Sequence, residues 1–476
     1  RAVDLAPGYA FAVSNLGKLR DRQGRLDEAE THFRKAIELQ PDLAPLHANL
    51  GGLLIARKDF SGAHAACQRS VELDPDLPDG WRNLAIALGE LKRFPQAEAA
   101  CRTAIERDPA APEGWSNLGN LLSDVRRFDE AEAAYRKALA LDPHSAETWS
   151  NLGNALSEMK QFEAATECFQ KCRDLNPGLD YSLGNQIAAR MRVCDWSGHA
   201  SEMSDLLDAI RGGSKAAKPF DVLALTTDPA VQRQAAEIWC RDRWPDGKIP
   251  AATGGKPAGD RITLGYFSAD FFDHATAQLM VHFFERQDRS RFELIAFSFG
   301  PDRHDAMTER LASVFDQSID VRSMSDAEVA QLAHRLGVDI AVDLKGYTQD
   351  SRPGIFAHRA APVQVSYLGY PGTMGAGWMD YLIADKCLIA EKIVYLPDSY
   401  QVNDGGRRIA ETVFTRSDMG LPETGFVFCC FNNNYKITPQ TFDGWMRILG
   451  RVEGSLLWLL EDNPAASAHL RAEAER

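Results

Sequence analysis

The sequence has no long apolar run and no excess of positive charge. No stretch approaches the roughly 18 uninterrupted apolar residues of a membrane-spanning helix. Lys and Arg number 53 against 67 Asp and Glu, which gives a formal net charge of -14 without any basic block. We therefore expect neither a membrane nor nucleic acid as a partner. No signal peptide is recognised either, so a cytoplasmic location is expected.

Clustered cysteine is also missing. The nine cysteines are mostly scattered singly, apart from Cys429-Cys430 and the looser pair Cys168 and Cys172. This distribution is typical of reduced, buried thiols and argues against a disulfide framework or a zinc site. The chain has 476 residues, of which 45% are hydrophobic and 25% charged, so a globular protein of two or three domains is expected.

What the sequence does contain is a strict interval of 34 residues. Proline and asparagine each return six times at this spacing, which indicates a stacked structural repeat. The repeated positions are Pro7, Pro41, Pro75, Pro109, Pro143 and Pro177, and Asn15, Asn49, Asn83, Asn117, Asn151 and Asn185. One unit carries the full tetratricopeptide (TPR) pattern of two antiparallel helices, namely Trp115, Leu118, Gly119, Leu122, Ala131, Tyr135, Ala138 and Pro143.

The six asparagines do not belong to the packing pattern of the repeat. At 100° per residue Asn117 points away from the stripe formed by Trp115 and Leu118, toward the groove that stacked first helices line. One interpretation is simply a polar surface position. The other is a ladder for extended polypeptide, because an Asn side chain offers a donor and an acceptor to a peptide backbone. Since neighbouring exposed positions vary freely, we favour the ladder.

The second half of the sequence alternates strands and helices. After a Gly/Pro/Lys-rich linker, buried apolar strands followed by helices predict a doubly wound parallel α/β sheet. Strands are predicted at 262–268, 292–299, 339–344, 363–368, 381–384, 426–431 and 455–460. Helices are predicted at 197–211, 229–243, 275–286, 304–315, 325–336 and 439–452. Sheets of this type bind ligands beyond the carboxyl ends of their strands.

The loop after the first predicted strand concentrates reactive groups. Asp270, Asp273, His274 and Thr276 lie within seven residues, just before a helix begins. A loop histidine is often only a solvated side chain, and Asp273 or Thr276 could serve as a helix cap. Their position at a strand end makes His274 and Asp270 candidates for a functional site.

Two further strand-end loops are candidates for a phosphate site. Gly372 and Thr373 lie in a glycine-rich segment. Glycine there permits either a tight turn or close approach of the backbone to a ligand. Asn433 and Lys436 precede a helix that Thr438 is predicted to cap. Unsatisfied N–H groups at a helix N-terminus attract phosphate, although an ordinary capped turn with a surface lysine would look the same.

The predicted α/β region contains no Asp-x-Asp pair that would hold a divalent ion. A diphosphate site that uses lysine and a helix N-terminus in place of a metal is the simplest hypothesis. Such a site suits the transfer of a sugar from a nucleotide.

These motifs together resemble the O-GlcNAc transferase/SPINDLY family, which carries TPR repeats ahead of a two-lobed GT-B catalytic region, and the chain is identified as a bacterial-type member. The resemblance covers nearly the whole chain. It is carried by the Asn column, Cys194-Asp195-Trp196, Gly265-Tyr266, Ser268, Asp270-Phe271, His274, Gly346-Tyr347-Thr348, Arg359, Pro362-Val363-Gln364, Gly369 to Thr373, and Phe431-Asn432-Asn433 with Tyr435-Lys436-Ile437.

The resemblance implies an inverting, metal-independent glycosyltransferase that modifies Ser or Thr of proteins, most simply from UDP-GlcNAc, without a further cofactor. Lys436 matches the lysine that holds the donor diphosphate, and Asn433 matches an amide side chain that contacts the donor. His274, Asp270 and Thr276 match the loop that lines the sugar and diphosphate, with Gly372 and Thr373 nearby. His274 or Asp270 is the expected proton acceptor. The asparagines Asn15, Asn49, Asn83, Asn117, Asn151 and Asn185 are expected to bind the acceptor polypeptide along the TPR groove.

The resemblance also sets the expected domains. They are a TPR superhelix at 1–193, a helical connector and linker at 194–260, an N-terminal GT-B lobe at 261–404 and the start of a C-terminal lobe at 405–476. Since the family's second lobe continues further, this lobe is expected to be truncated.

Two departures from the family keep alternatives open. The stretch from Lys218 to Asp221 stands where animal members have a histidine-rich patch, and Ala275 replaces a proline found in many members. A GDP-fucose-dependent O-fucosyltransferase like SPINDLY therefore remains an alternative donor class. A non-catalytic TPR scaffold is the alternative outside enzymes.

Overall fold

The computed structural model describes residues 9–244, 261–384, 392–396, 399, 401–403, 405–406 and 411–476. The chain divides into two compact units, Arg1–Met159 with Ser323–Ser325, and Lys160–Arg322 with Asp326–Arg476. The division therefore falls between Pro143 and Pro177, inside one of the predicted repeats. Pro7 and most of the predicted linker, from 245 to 260, lie outside the described residues.

The first unit consists of helical hairpins, as the 34-residue interval predicts. Its helices alternate between 13 and 14 residues in length. They are α1 (Ala10–Arg22), α2 (Leu26–Leu39), α3 (Ala44–Ala56), α4 (Phe60–Leu73), α5 (Pro78–Glu90), α6 (Phe94–Arg107), α7 (Pro112–Asp124), α8 (Phe128–Leu141) and α9 (Ala146–Glu158). The second unit opens with α10 (Phe162–Leu175) and α11 (Ser182–Arg192) at the same spacing.

The hairpins pack through small residues set against larger ones. A Cβ added to Gly119 on α7 would lie 2.6 Å from the ring of Tyr135 on α8, so the two helices approach closely only because glycine is present. The small residues at 34-residue intervals from Ala131 and the larger ones at the same interval from Tyr135 are all buried, which confirms the TPR packing. They are Ala29, Ala63, Ala97, Ala131 and Ala165 with Phe33, Cys67, Cys101, Tyr135 and Phe169.

The repeats also have two periodic features that the sequence pattern did not predict. The turn between the helices of each repeat contains one residue with positive φ, at Gly24, Lys58, Lys92, Arg126 and Lys160. The indole N–H groups of Trp81, Trp115 and Trp149 donate to the carbonyl oxygens of Pro75, Pro109 and Pro143, at 2.8, 3.3 and 3.0 Å. These hydrogen bonds tie the first helix of a repeat to the proline that precedes it.

The second unit continues with helices and a seven-stranded parallel sheet. The helices before the sheet are α12 (His199–Arg211), α13 (Pro219–Leu225) and α14 (Pro229–Arg243). The sheet region comprises β1 (Ile262–Ser268), α15 (Ala275–Glu285), β2 (Phe292–Ser298), α16 (Ala306–Val314), β3 (Gln317–Asp320), α17 (Asp326–Arg335), β4 (Ile340–Asp343), α18 (Gly354–Ala357), β5 (Val363–Tyr367), β6 (Tyr381–Ala384) and β7 (Ile393–Tyr395).

The sheet has the strand order β3-β2-β1-β4-β5-β6-β7. From β1 the chain proceeds outward through β2 to β3 and then returns to place β4 on the other side of β1. Because crossover connections between parallel strands are right-handed, this reversal places helices on both faces of the sheet. The predicted doubly wound architecture is therefore confirmed, and its switch point lies between β1 and β4.

A second, smaller sheet follows. It pairs β8 (Val427–Cys430) with β9 (Leu456–Leu459) in parallel, with α19 (Pro439–Leu449) between them and α20 (Pro464–Glu475) after them. Ile437, Phe442 and Leu470 form a buried cluster with Cys194, against which Trp196 packs. The Cys194-Asp195-Trp196 segment thus connects the helices after the repeats to this second sheet.

The predicted strands and helices match the structure within three residues at every end, and β1, β6 and α14 match at both ends. The sequence pattern missed β3, β7, α13, α18 and α20. β3 is a polar edge strand, Gln-Ser-Ile-Asp, without the apolar run that reveals a buried strand. The missed helices are short or carry few large apolar residues, so their periodicity is weak.

In the described part of the chain, no helix combines the length and the apolar character that crossing a bilayer would require.

One carboxyl group is buried at the end of β4. Asp343 is 2% exposed, and its Oδ1 accepts hydrogen bonds from the backbone N–H groups of Lys345 (2.9 Å) and Gly346 (3.1 Å). Its Oδ2 has no hydrogen-bond partner among the described residues, and neither has Oγ of Ser366, the residue opposite it on β5. Burial raises the pKa of Asp343 from 3.8 to about 6, against the lowering effect of the two amides and of Lys345.

We predict that Gly119→Ala destabilises the repeats by about 1–3 kcal/mol, because the new methyl group overlaps the Tyr135 ring. The matched control is Gly89→Ala on α5, where the nearest atom to an added Cβ is 3.6 Å away. This control should be neutral or stabilising by up to about 1 kcal/mol. Thermal unfolding of both variants measures the difference, and equal shifts in Tm would contradict the packing assigned to Gly119.

We also predict that Asp343 makes stability depend on pH. Since its pKa is raised in the folded state, folding takes up a proton between about pH 4 and about pH 6, and stability falls as pH rises through this window. Asp343→Asn keeps the oxygen that accepts the two amides but cannot ionise. Relative to wild type, its free energy of unfolding should therefore rise across the window, by at most about 3 kcal/mol.

Denaturant titrations at the two ends of the pH window measure this effect. Asp443→Asn, an exposed carboxyl on α19, is the control and should leave the wild-type pH dependence unchanged. A parallel pH dependence in wild type and Asp343→Asn would rule out the assigned role.

Candidate active site

The candidate site lies at the carboxyl ends of three neighbouring strands. β1 pairs with β4, and β4 pairs with β5, all in parallel. The loops that follow these strands therefore emerge at the same edge of the sheet, on both sides of the switch point. These loops contain the predicted residues Asp270, His274, Gly372 and Thr373, and Thr276 lies in the first turn of α15.

Asp270 is buried and fully engaged in a salt bridge that the sequence did not predict. Nζ of Lys345 lies 3.0 and 2.8 Å from its two carboxylate oxygens, and the two side chains are only 7% and 8% exposed. The Thr276 hydroxyl donates to Oδ2 of Asp270 over 3.3 Å, and the Asp270 N–H donates to the Ser268 hydroxyl. Asp270 thus links the loop after β1, the start of α15 and the loop after β4.

His274 is the N-cap of α15, a role for which the sequence analysis had considered only Asp273 and Thr276. Its Nδ1 accepts the backbone N–H of Thr276 at 3.2 Å and lies 3.5 Å from Oδ2 of Asp270. While Nδ1 accepts this bond, the ring proton is on Nε2, and the imidazole presents a donor to solvent. If Nδ1 instead carries the proton toward Asp270, Nε2 becomes a proton acceptor. The side chain is 41% exposed, so either tautomer can meet a ligand.

The glycine-rich loop after β5 is held by packing within the protein. A Cβ at Gly372 would lie 2.8 Å from the ring of Tyr370 and 3.0 Å from Leu223 on α13. Thr373 is 9% exposed, and its hydroxyl accepts the N–H of Gly375 at 3.1 Å. Glycine is therefore needed at 372 for close approach to neighbouring side chains, whether or not a ligand also approaches it.

The loop after β8 has the predicted shape. Asn434–Lys436 form a 3-10 turn, and the Thr438 hydroxyl caps α19 by accepting the N–H of Thr441, which confirms the predicted cap. Asn433 and Lys436 are both exposed. The cation and the N-terminus of α19 are therefore accessible on the same short segment.

Helix α13 contacts both the glycine-rich loop and the Lys436 segment. Leu223 faces Gly372, while Phe220 and Asp221 line a shallow cavity with Arg192 and Tyr435, the residue before Lys436. The guanidinium of Arg192 lies 5.3 Å from the centre of the Tyr435 ring. Burial raises the pKa of Asp221, while Lys218 and Arg192 lower it. The sequence had noted the segment from Lys218 to Asp221 only as a departure from the family pattern.

The asparagine column makes hydrogen bonds between successive repeats. Nδ2 of Asn49 donates to the Ser14 hydroxyl at 3.1 Å, and Nδ2 of Asn83 to the Ala48 carbonyl at 3.0 Å. Asn151 donates in the same way to Oδ1 of Asn120. Part of the recurrence is therefore structural, because the amide joins neighbouring first helices.

The surface exposure of the column is not uniform. Asn15 is exposed, Asn117 is partly buried, and Asn185, in the second unit, is only 8% exposed. The expectation that every member faces an open groove is thus wrong for Asn185. It lies on α11, which packs against α10, α12 and α13.

Sequence reasoning missed Lys345 and Asp343. A signal was present, because Asp343 lies near the end of the predicted strand 339–344 and Lys345 directly follows that strand. In the part of the chain that the structure describes, no three His, Cys, Asp or Glu side chains are grouped as metal ligands would be.

In a comparison with known proteins, two family models match different parts of the chain. Residues 250–409 and 405–476 match the model of glycosyl transferase family 41. Residues 8–202 match the model of the cilia and flagella-associated protein 70 C-terminal domain.

Individual relatives agree with the first match. The probable UDP-N-acetylglucosamine–peptide N-acetylglucosaminyltransferase SEC of Arabidopsis thaliana is 32% identical over 310 residues, 59% of this chain and 32% of that protein. The SPINDLY protein of the same plant, with the same probable activity in its name, is 31% identical over 41% of this chain and 22% of its own length. The matches thus span about a third or less of these relatives.

A solved structure resembles both the repeats and the α/β region. A lysine-to-methionine variant of the O-GlcNAc transferase of Thermobaculum terrenum superposes with a TM-score of 0.54 at 25% identity. The match covers 84% of this chain and 71% of that one. Together with the family model and the strand-end loops described above, it shows that this chain belongs to glycosyl transferase family 41, the O-GlcNAc transferase/SPINDLY family.

Proposed function

We propose that the protein transfers N-acetylglucosamine from UDP-GlcNAc to Ser or Thr hydroxyls of protein acceptors, with inversion at the anomeric carbon and without a metal. The observation that carries this proposal is the convergence of the loops after β1, β4 and β5 at the switch point of a family 41 domain. These loops present His274, Thr276 and the Asp270–Lys345 pair at one edge of the sheet. The curated relatives named above are UDP-GlcNAc transferases by name, which favours the same donor here.

In the proposed reaction the acceptor oxygen bonds to the anomeric carbon as the bond from that carbon to the diphosphate breaks. The electron pair of the broken bond leaves with the diphosphate. Lys436 and the N-terminal amides of α19 stabilise this negative charge, as a cation and a helix dipole do for a phosphate. Asn433 contacts the same donor, and Gly372 and Thr373 line the donor site from the first lobe.

His274 accepts the proton of the attacking hydroxyl. For this role Nδ1 must carry the ring proton and donate to Asp270, so that Nε2 offers its lone pair. The bond from Thr276 N–H to Nδ1 is given up in this tautomer. Asp270 is less suited to take the proton itself, since both of its oxygens are held by Lys345 in a buried position.

The repeats supply the acceptor site. After donating through Nδ2 to the preceding helix, Asn49 and Asn83 still offer Oδ1 as an acceptor for peptide N–H groups. Contacts to the peptide backbone bind polypeptide with little regard to its sequence. We therefore infer that the column from Asn15 to Asn151 binds extended acceptors, whereas buried Asn185 supports the structure.

Donor identity is the first test. Thermal shift and calorimetry of the full-length protein with UDP-GlcNAc, GDP-fucose and no nucleotide should show stabilisation by UDP-GlcNAc alone. Selective stabilisation by GDP-fucose would support the SPINDLY-like donor instead. If neither nucleotide stabilises the protein, the scaffold hypothesis is favoured.

We predict that Lys436→Ala lowers kcat/KM for transfer by about 100-fold or more, because the leaving diphosphate loses its cation. The fold should remain intact, since Lys436 is exposed. Arg447→Ala, which removes an exposed cation from the same helix α19, is the matched control and should retain activity. Near-wild-type turnover of Lys436→Ala would exclude the donor assignment.

We predict that replacing Asn15, Asn83 and Asn117 together by Ala weakens binding of protein acceptors about tenfold or more, at about 1 kcal/mol or less per lost hydrogen bond. UDP-GlcNAc binding should change little. Acceptor KM and nucleotide Kd, measured on the same preparation, separate the two effects. Equal weakening of both would indicate a general loss of structure.

A further inference from the structure

We propose that Lys345 is a positioning residue for the donor site, because it holds Asp270 as a neutral pair beside the place where the anionic diphosphate binds. The inference rests on the proposed function, since it assumes a nucleotide-sugar donor at this edge of the sheet. It adds a residue that neither the motif pattern nor the charge balance of the sequence indicated.

The geometry favours an indirect role. Nζ of Lys345 is buried and contacts both oxygens of Asp270 at 2.8 and 3.0 Å, so it is not available as a direct diphosphate ligand. Asp270 in turn contacts the Thr276 hydroxyl at 3.3 Å and lies 3.5 Å from Nδ1 of His274. Lys345 therefore reaches two partly buried residues, Thr276 and His274, through a single carboxylate.

The loop around Lys345 is itself anchored. The Lys345 N–H donates to Oδ1 of buried Asp343, and a Cβ at Gly369 would collide with the Leu344 carbonyl oxygen. The backbone that carries the lysine is thus fixed between β4 and the loop after β5. A fixed backbone places the cation against Asp270 before any donor arrives.

The charges of Asp270 and Lys345 affect how the donor diphosphate binds. A carboxylate that is only 8% exposed is poorly solvated, and without its partner it would repel the diphosphate through a medium of low dielectric constant. With Lys345 in place the pair carries no net charge. Because burial disfavours the charged state of a carboxyl group, the repulsion by an unpaired Asp270 is expected at the alkaline end of the pH range, where the group is ionised.

The other charged groups around Asp270 do not replace the lysine. Asp343 at the end of β4 adds negative charge, and His274 is the nearest further titratable group. At the far side of the loop the Asp273 N–H donates to the Asp305 carboxylate, and the Arg303 guanidinium lies over the Phe272 ring. Among the described residues, removing Lys345 therefore leaves Asp270 with no lysine or arginine in contact.

The test compares wild type, Lys345→Met and the double variant Lys345→Met/Asp270→Asn in the full-length protein. Donor KM and kcat for UDP-GlcNAc are measured from about pH 6 to about pH 8.5, where the diphosphate diester keeps its charge. For Lys345→Met we expect donor KM to rise about tenfold or more at the alkaline end, with a smaller change in kcat. The difference in donor KM between Lys345→Met and wild type should shrink as pH falls, because a protonated Asp270 no longer repels the donor.

The double variant distinguishes charge compensation from simple structural support. Asn at 270 is neutral at every pH, so donor KM should return toward wild type and the additional pH dependence should disappear. If Lys345→Met does not fold, the double variant still tests the proposal, and near-wild-type donor KM is the expected result.

The control is Arg352→Met, which removes a guanidinium from Asp326 in another largely buried salt bridge of the same unit. It should lower stability without making donor KM depend on pH. A pH-independent rise in KM for Lys345→Met, or a double variant as impaired as the single one, overturns the proposal while the proposed function stands. If wild type binds no nucleotide sugar, the proposed function and the proposed role of Lys345 are both wrong.

Discussion

The salt bridge between Asp270 and Lys345 joins the two strands on which the candidate site depends. β1 and β4 are neighbours in the sheet although 71 residues separate Ile340 from Ser268 along the chain, and their following loops meet at the switch point. A buried ion pair is costly unless both partners are well placed, so it fixes the relative position of these loops. Thr276 and His274 are then oriented from a rigid base.

The repeats are stabilised by complementary packing between neighbouring helices. Each hairpin buries too little apolar surface to be stable alone and depends on its neighbours. Gly119 against Tyr135 shows how one small residue admits one large ring. The asparagine column adds polar contacts between successive first helices, so a surface proposed to bind polypeptide also contributes to holding the repeats together.

Much of the architecture could be predicted because it is encoded locally. The 34-residue interval, the apolar strands and the Thr438 cap depend on periodicity and on neighbouring residues, and the structure confirms them. The edge strands β3 and β7 and helix α13 could not be predicted, since their sequences lack a strong period. The role of His274 as the helix cap was missed because histidine is not among the residues that usually occupy that position.

The sequence by itself determined the repeat, the order of strands and helices, and the family, since each follows from spacing and residue type along the chain. It also placed Asp270, His274 and Lys436 in strand-end loops. Only the tertiary structure decided which residues are partners. It paired Asp270 with Lys345, buried Asn185 and set α13 against the glycine-rich loop, because contacts between distant segments depend on how the sheet and its helices pack.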